Sequence, residues 1–382
     1  MRIALPLSPS QQIYAAFAFY AFAMGNIFPR LGDVQLAMGV DKSALGLGLI
    51  GTPIGTLVSF TFLAPLLERI GHRLVLFGGI PLIALLFAIA VHAPSPFVLF
   101  FLLFPVGLTI GCVEIILNIE ADRAENAVGY RIMNRCHAFW SIGFFSASFF
   151  GAWLASLGIS PQLHLGIVVP LSVIGVVLSL SNFVPAAKRS GESVDAGPHF
   201  SLPSFAIMLL FCVTASAMLL EGASMDWSAI YMRDAFMAGP FLAGIGVAAF
   251  AICQASARFL VDGFVDKHSP TSVARVLQAI LFLGCVTVFL APAPVISLLG
   301  FALMGIGTSA IFPLAMSAAA QRTDRPSTIN VASLAQISFT MFLMGPPLLG
   351  FVADHWGIRS SFGIALPIII LGLLTSGSLG RK

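Results

Sequence analysis

Apolar residues run along this chain in blocks of roughly twenty, separated by short polar breaks. A helix needs about 20 mostly apolar residues to cross the hydrocarbon core of a bilayer. The blocks predict twelve such spans. They cover roughly 12–29, 44–67, 74–92, 96–118, 137–157 and 163–183, then 203–224, 239–261, 273–292, 295–317, 328–350 and 359–379. The widest break, VPAAKRSGESVDAGPHFS at 184–201, is polar and aperiodic and reads as a cytoplasmic linker. The predicted organisation is an N-terminal six-helix bundle over 1–183, the linker over 184–201, and a C-terminal six-helix bundle over 202–382.

Composition removes the soluble alternatives. The chain is 58% hydrophobic and 9% charged, against about 25% charged in ordinary globular domains. No soluble core accommodates that much apolar surface. The 34 Phe, 36 Gly and 23 Pro fit membrane helices. The N-terminus, MRIALPLSPSQQ, lacks the long apolar core of a removable signal peptide, so the first span is expected to direct insertion. The five Cys are scattered and read as small core residues. No GxxxxGK[ST] phosphate loop is present, so nucleotide drive is unsupported. Seven scattered His argue against a metal set or a membrane-bound enzyme, and no cofactor is predicted. The short linker and C-terminus leave little room for a signalling domain.

Charge sets the orientation. Of the 19 Lys and Arg, only Arg30, Lys42, Arg233 and Arg359 fall on the side opposite the termini. Cytoplasmic loops carry the excess of Lys and Arg. Both termini are therefore expected in the cytoplasm, in a multi-pass protein of the inner (plasma) membrane. Its expected partners are the bilayer, protons and a small-molecule substrate, not nucleic acid, and the chain is expected to be a monomer.

The two halves repeat. Shifting the chain by 198 residues lays LGLGLIG (45–51) on AGIGVAA (243–249) and ERIG (68–71) on DKHS (266–269). A shift of 199 brings Arg123 onto Arg322, His137 onto Gln336 and Gly151 onto Gly350. These matches indicate a duplicated six-helix unit.

Twelve spans, a parallel 6+6 repeat and a mid-chain linker resemble the major facilitator superfamily over essentially the whole chain. That family carries G-x-x-x-D-R-x-G-R-R after its second span. Here APLLERIGHR (64–73) keeps Arg69, Gly71 and Arg73, with Glu68 for the Asp, Ala64 for the first Gly and His72 for a basic residue. The second copy, DGFVDKHSPT (262–271), keeps Asp266 and Lys267. The resemblance implies that Glu68, Arg69, Arg73, Arg258, Asp262 and Asp266 latch the cytoplasmic ends in one conformation. A plain positive-inside anchor is the alternative. Arg258 and Asp262, four apart, can pair on one helix face.

Within the superfamily, GCVEIILNIE (111–120) is similar to the fucose permease branch through Gly111, Cys112, Glu114 and Asn118. NRCHAFWSIG (134–143) and EGASMDWSAIY (221–231) look like a related bacterial group. The branch implies that Glu114 takes part in proton-coupled sugar uptake. Fucose permeases have a second acid within the first span, but residues 12–32 hold no Asp or Glu.

An acid at membrane depth costs roughly 2.5 kcal/mol or more on insertion scales, so Glu114 should face a cavity or a partner. It shares a helix face with Asn118; the alternative is an acid reaching the headgroups. Glu221 falls on Ala23 at the shift of 198 and could supply the acid that the first span lacks, or it could cap near Asp226 and Trp227. Proton coupling is assigned to Glu114 and Glu221. Arg30 could pair with Asp33, Glu221 or Asp226, or bind an anionic group. His137 and Trp140 share one face with Ser141. With Asn26, Arg30, Asn118, Gln254 and Gln336 they form the predicted substrate-binding set, helix–helix hydrogen bonding being the alternative for the amides. The predicted function is proton-coupled symport of a small polar solute such as a sugar by alternating access. The alternative is a proton-driven antiporter exporting drugs or metabolites.

Overall fold

A computed structural model describes residues 5–129, 132–187, 202–265 and 267–380. Among the described residues the secondary structure is entirely helical. Spans 1 to 6 are Pro9–Gly25, Lys42–Leu63, His72–Ala90, Pro96–Val128, Met133–Ser156 and Pro161–Leu180. Spans 7 to 12 are Phe205–Asp226, Pro240–Val265, Pro270–Leu290, Pro294–Ala320, Ser327–Trp356 and Ile358–Leu379. Eleven are long and apolar enough to cross a membrane, and span 1, with 17 residues, is the shortest.

Several starts are written in the sequence as Ser-Pro. Ser8, Ser95, Ser160 and Ser269 each cap a helix whose first residue is proline. The serine oxygen takes an otherwise orphaned N–H, and the proline ring is already set to the helical φ. At Ser8 the Gln11 side chain completes the reciprocal capping box.

The chain divides into two compact units, residues 1–40 with 47–194 and residues 41–46 with 195–382. In the first unit, span 1 packs on spans 5 and 6, span 2 on span 4, and span 3 on spans 4 and 6. In the second, span 7 packs on spans 11 and 12, span 8 on span 10, and span 9 on spans 10 and 12. The same pairings recur, and one of them recurs atom for atom. A Cβ on Gly107 of span 4 would strike the Thr52 carbonyl and the Thr56 amide of span 2. A Cβ on Gly305 of span 10 would strike the Phe250 carbonyl and the Gln254 amide of span 8. Each of these residues lies 198 positions after its counterpart. Small residues bring two membrane helices into backbone contact, and the duplicated chain uses the same glycine twice.

Several spans depart from regular helix, span 12 at Ile364 and Ala365 among them. Span 2 loosens into a π-helical stretch at Ser59–Leu63. Span 10 is interrupted at Ser309 and Ala310, between Pro294–Thr308 and Ile311–Ala320. Span 4 runs unbroken through the matching positions, Gly111 and Cys112, and continues ten residues beyond the predicted end. Glu114 consequently sits near the middle of its helix.

Candidate functional site

In the first unit, Glu114 accepts a hydrogen bond from the Tyr20 hydroxyl at 3.1 Å. Tyr20 is buried, and Glu114 is half-buried. Asn118 uses its amide on the backbone carbonyl of Glu114, 2.8 Å away. The predicted face therefore exists, with Asn118 bonded to the helix rather than to the carboxylate. Tyr20 is the polar partner that span 1 offers.

The remaining predicted residues of this unit are held by neighbours. Asn26, fully buried, donates to the Phe22 carbonyl and is bonded through Oδ1 to His164 Nε2 at 2.9 Å. Arg30 pairs with Asp33 at 2.8 Å and donates to the Ile159 carbonyl at 2.7 Å. Of the partners open to Arg30 in the sequence, the structure selects the one a single helical turn away. The His137 ring lies edge-on to Phe17, and Trp140 stacks on Phe144. Ser141 donates to the His137 carbonyl.

The loop signature is charged but differently wired from the prediction. His72 Nδ1 contacts Glu120, and His72 Nε2 lies 3.3 Å from Glu68. Arg123 reaches Glu68 at 3.1 Å and Glu120 at 3.6 Å. Glu120 also accepts the Ala186 backbone N–H at 2.9 Å. Glu120 is 0% exposed, so its charge requires these partners. Arg73 donates to the Ser181 carbonyl at 2.6 Å, and Arg69 is exposed. Glu120 and Arg123, one helical turn apart at the end of span 4, are the cluster members missed in the sequence. The signal was available: two opposite charges on the face that continues an apolar span. The Asp262 side chain, Asp266, and residues 188–201 of the linker lie outside the described residues.

The second unit brings three predicted residues together. Arg258 of span 8 lies 3.5 Å from the Glu221 carboxylate of span 7, the two side chains being 20% and 10% exposed. Arg258 Nε also donates to the Ser309 carbonyl of span 10 at 3.2 Å. Gln254, one turn before Arg258, donates to the Thr308 hydroxyl at 3.2 Å. Arg258, expected among the loop charges, thus reaches the interrupted helix. Pro313 explains the interruption. In a regular helix the Ser309 carbonyl would accept from residue 313, but proline has no N–H. Arg258 supplies the missing donor. Gln336 of span 11 is half-buried.

Charges and amides converging from three spans, one of them broken, are what a membrane protein uses to bind a polar or ionic solute. The fold is that of the major facilitator superfamily. The structure matches the nucleoside transporter NupG with a TM-score of 0.70 at 13% identity, covering 98% of this chain and 100% of that one. It matches a bacterial homologue of the human lysosomal transporter Spinster, in an inward-facing conformation, with a TM-score of 0.69 at 13% identity, over 97% and 95%. In sequence, the Major Facilitator Superfamily model matches residues 209–379. An uncharacterized MFS-type transporter of Yersinia pestis is 27% identical over 376 residues, 97% of this chain and 95% of the relative. Membrane protein MosC of Rhizobium meliloti is 21% identical over 365 residues, 93% and 88% respectively. These matches are to transporters and membrane proteins, and together with the fold they support a major facilitator superfamily transporter.

Proposed function

We propose that the chain is a proton-coupled secondary transporter that takes up a small polar solute, such as a sugar, by alternating access. The observation that carries this reading is Glu114: an ionisable acid within a span, hydrogen-bonded to the hydroxyl of a second span. A carboxyl group placed so can hold a proton in one state and release it in another. The G-C-x-E-x-x-x-N pattern of span 4 supports a place near the fucose permeases, and the excess of Lys and Arg on the side of the termini supports cytoplasmic ends. In this reading Glu114 and Glu221 are the proton-coupling acids, the protein works as a monomer in the inner membrane, and the cluster around Glu120 is a conformational latch. Moving one charge through 100 mV supplies about 2.3 kcal/mol, enough for roughly 50-fold accumulation.

The test is uptake into proteoliposomes under an imposed pH gradient, comparing wild type with Glu114→Gln. The variant is expected to exchange solute without a gradient while losing gradient-driven accumulation at least tenfold. Unchanged accumulation in the variant overturns the role of Glu114. Solute export against an inward proton flux establishes the antiporter.

A further inference from the structure

We propose that the entry to the linker is part of the charge cluster at the cytoplasmic end of the first unit. Glu120 holds Ala186, so the linker entry and the cluster open together, and whatever draws the linker away loosens the cluster. This rests on the latch reading above and extends it to a regulatory role for the linker.

The first argument is geometric. Glu120 divides its two oxygens. Oε1 faces His72 and, at 3.6 Å, Arg123. Oε2 accepts the Ala186 N–H at 2.9 Å. A second tie lies five residues earlier, where Arg73 donates to the carbonyl of Ser181, the C-cap of span 6, at 2.6 Å. That carbonyl is one that a helix end leaves without a partner. Between the two ties, Pro185 has no N–H of its own and disfavours helical backbone at Val184. The chain leaves span 6 without helix over 183–187, and Ala186 meets Glu120. His72 and Arg73, neighbours in the loop signature, thus grip the cluster and the exit of span 6 respectively.

The second argument is energetic. Glu120 is fully buried. A buried carboxylate that loses a donor bears the cost in full, because water does not reach it. His72 and Arg123 on one oxygen and Ala186 on the other satisfy the same group, and bonds that share an acceptor group are not independent. A Glu120 that moves to follow one set of partners deserts the other.

The third argument is the repeat. At the shift of 198, His72, Arg73 and Glu120 fall on Pro270, Thr271 and Ala318. The second unit builds the same helix pairs without them. The acid and its partners stand in the copy whose last span runs into the linker.

The experiment is hydrogen–deuterium exchange of the purified full chain in detergent, read by mass spectrometry. It needs no solute. Arg123→Gln removes a partner of Oε1, the oxygen that Ala186 does not use. It is expected to quicken exchange of the Ala186 amide by about tenfold or more, the worth of a hydrogen bond to a charged group. Ala186→Pro deletes the N–H. Exchange over 71–75, where the Gly71 and Val75 N–H groups are bonded within the backbone, is expected to quicken by a similar factor, since coupling between two sites is reciprocal. Ala186→Gly keeps the N–H and should leave 71–75 as in wild type. Wild-type exchange across Phe205–Asp226 certifies that a variant is folded; should Arg123→Gln fail that check, His72→Gln tests the same oxygen. An Ala186 amide that exchanges in the folded variant as in wild type, or a 71–75 segment unmoved by Ala186→Pro, overturns the proposal. The latch is judged separately, by exchange at 320–330 of the second unit. Faster exchange confined to the first unit overturns the latch and leaves the coupling standing. Faster exchange at 320–330 with Ala186 unmoved does the reverse.

Discussion

Arg258 donates to the Ser309 carbonyl, the very carbonyl that Pro313 leaves without a helical donor. One side chain therefore repairs a helix break and holds a charge inside the second unit. If that division of labour is right, giving the helix back its own donor should release the arginine.

Pro313→Ala provides an N–H four residues after Ser309, able to compete with Arg258 for its carbonyl. The melting temperature is expected to stay level, because Pro313 lies in the first turn of Ile311–Ala320, where a proline costs little. Solute uptake is expected to fall roughly fivefold or more. Uptake and melting measured on one preparation separate the two effects.

Tyr20→Phe removes the hydroxyl that Glu114 accepts from and changes little else. A hydrogen bond to a charged group is worth about 1.5–3 kcal/mol. Gradient-driven uptake should fall by roughly tenfold, and the same substitution made on Glu114→Gln should have little further effect. A full additive loss in the double variant would show that Tyr20 acts elsewhere.

The cluster at the cytoplasmic end of span 4 predicts a division among the basic residues. Arg123→Ala removes one of the partners of the buried Glu120 carboxylate, which keeps His72 and the Ala186 N–H, and should destabilise the protein by about 1.5–3 kcal/mol. Arg69→Ala, on an exposed side chain, should stay within about 0.5 kcal/mol. Chemical unfolding in detergent reads both.

Asp234 offers a pH signature outside the spans. Burial pushes its carboxyl upward, but hydrogen bonds and charges from Arg233 and Lys42 outweigh burial and hold it below the usual range. Its pair with Lys42 spans 3.0 Å. A carboxyl lowered in the folded state stabilises above its unfolded pKa of about 3.9, and the benefit is lost as pH falls through the lower folded value. Asp234→Asn should thus melt below wild type at pH 7, with the gap closing below about pH 4.

The duplicated glycines give a control-matched test of packing. Gly107→Ala and Gly305→Ala each drive a methyl group into a carbonyl of the facing helix and should cost at least about 2 kcal/mol. Gly78→Ala meets open space and should be neutral or stabilising by up to about 1 kcal/mol. Melting temperatures of the three variants are sufficient.

Apolar block length was enough to place the spans to within a few residues, because a bilayer dictates that length whatever the sequence. Span 4 departs furthest. Its helix continues past the apolar block to Val128 on charged residues, and hydropathy cannot follow a helix into water. The helix starts at Ser8, Ser95, Ser160 and Ser269 are legible as Ser-Pro pairs. Glu114 and Glu221 stood out because an acid in a span is conspicuous. Their partners did not: Tyr20 and Arg258 lie 94 and 37 positions away in the chain, and no periodicity pairs residues so far apart. Asn26 looked like a solute ligand because its tie to His164 depends on how spans 1 and 6 meet. The break at Ser309 was implicit in Pro313, but which donor would fill it required the fold.

The unbroken length of span 4 has a mechanical consequence. Glu114 and Glu120 belong to one rigid rod, six residues or about 9 Å apart along its axis. One is bonded to span 1 and the other to His72 at the start of span 3 and to Ala186. With no kink between them to absorb strain, a tilt or turn begun at Glu114 is carried along the helix to the charges around Glu120. The helix is a stiff lever, with the acid as its handle.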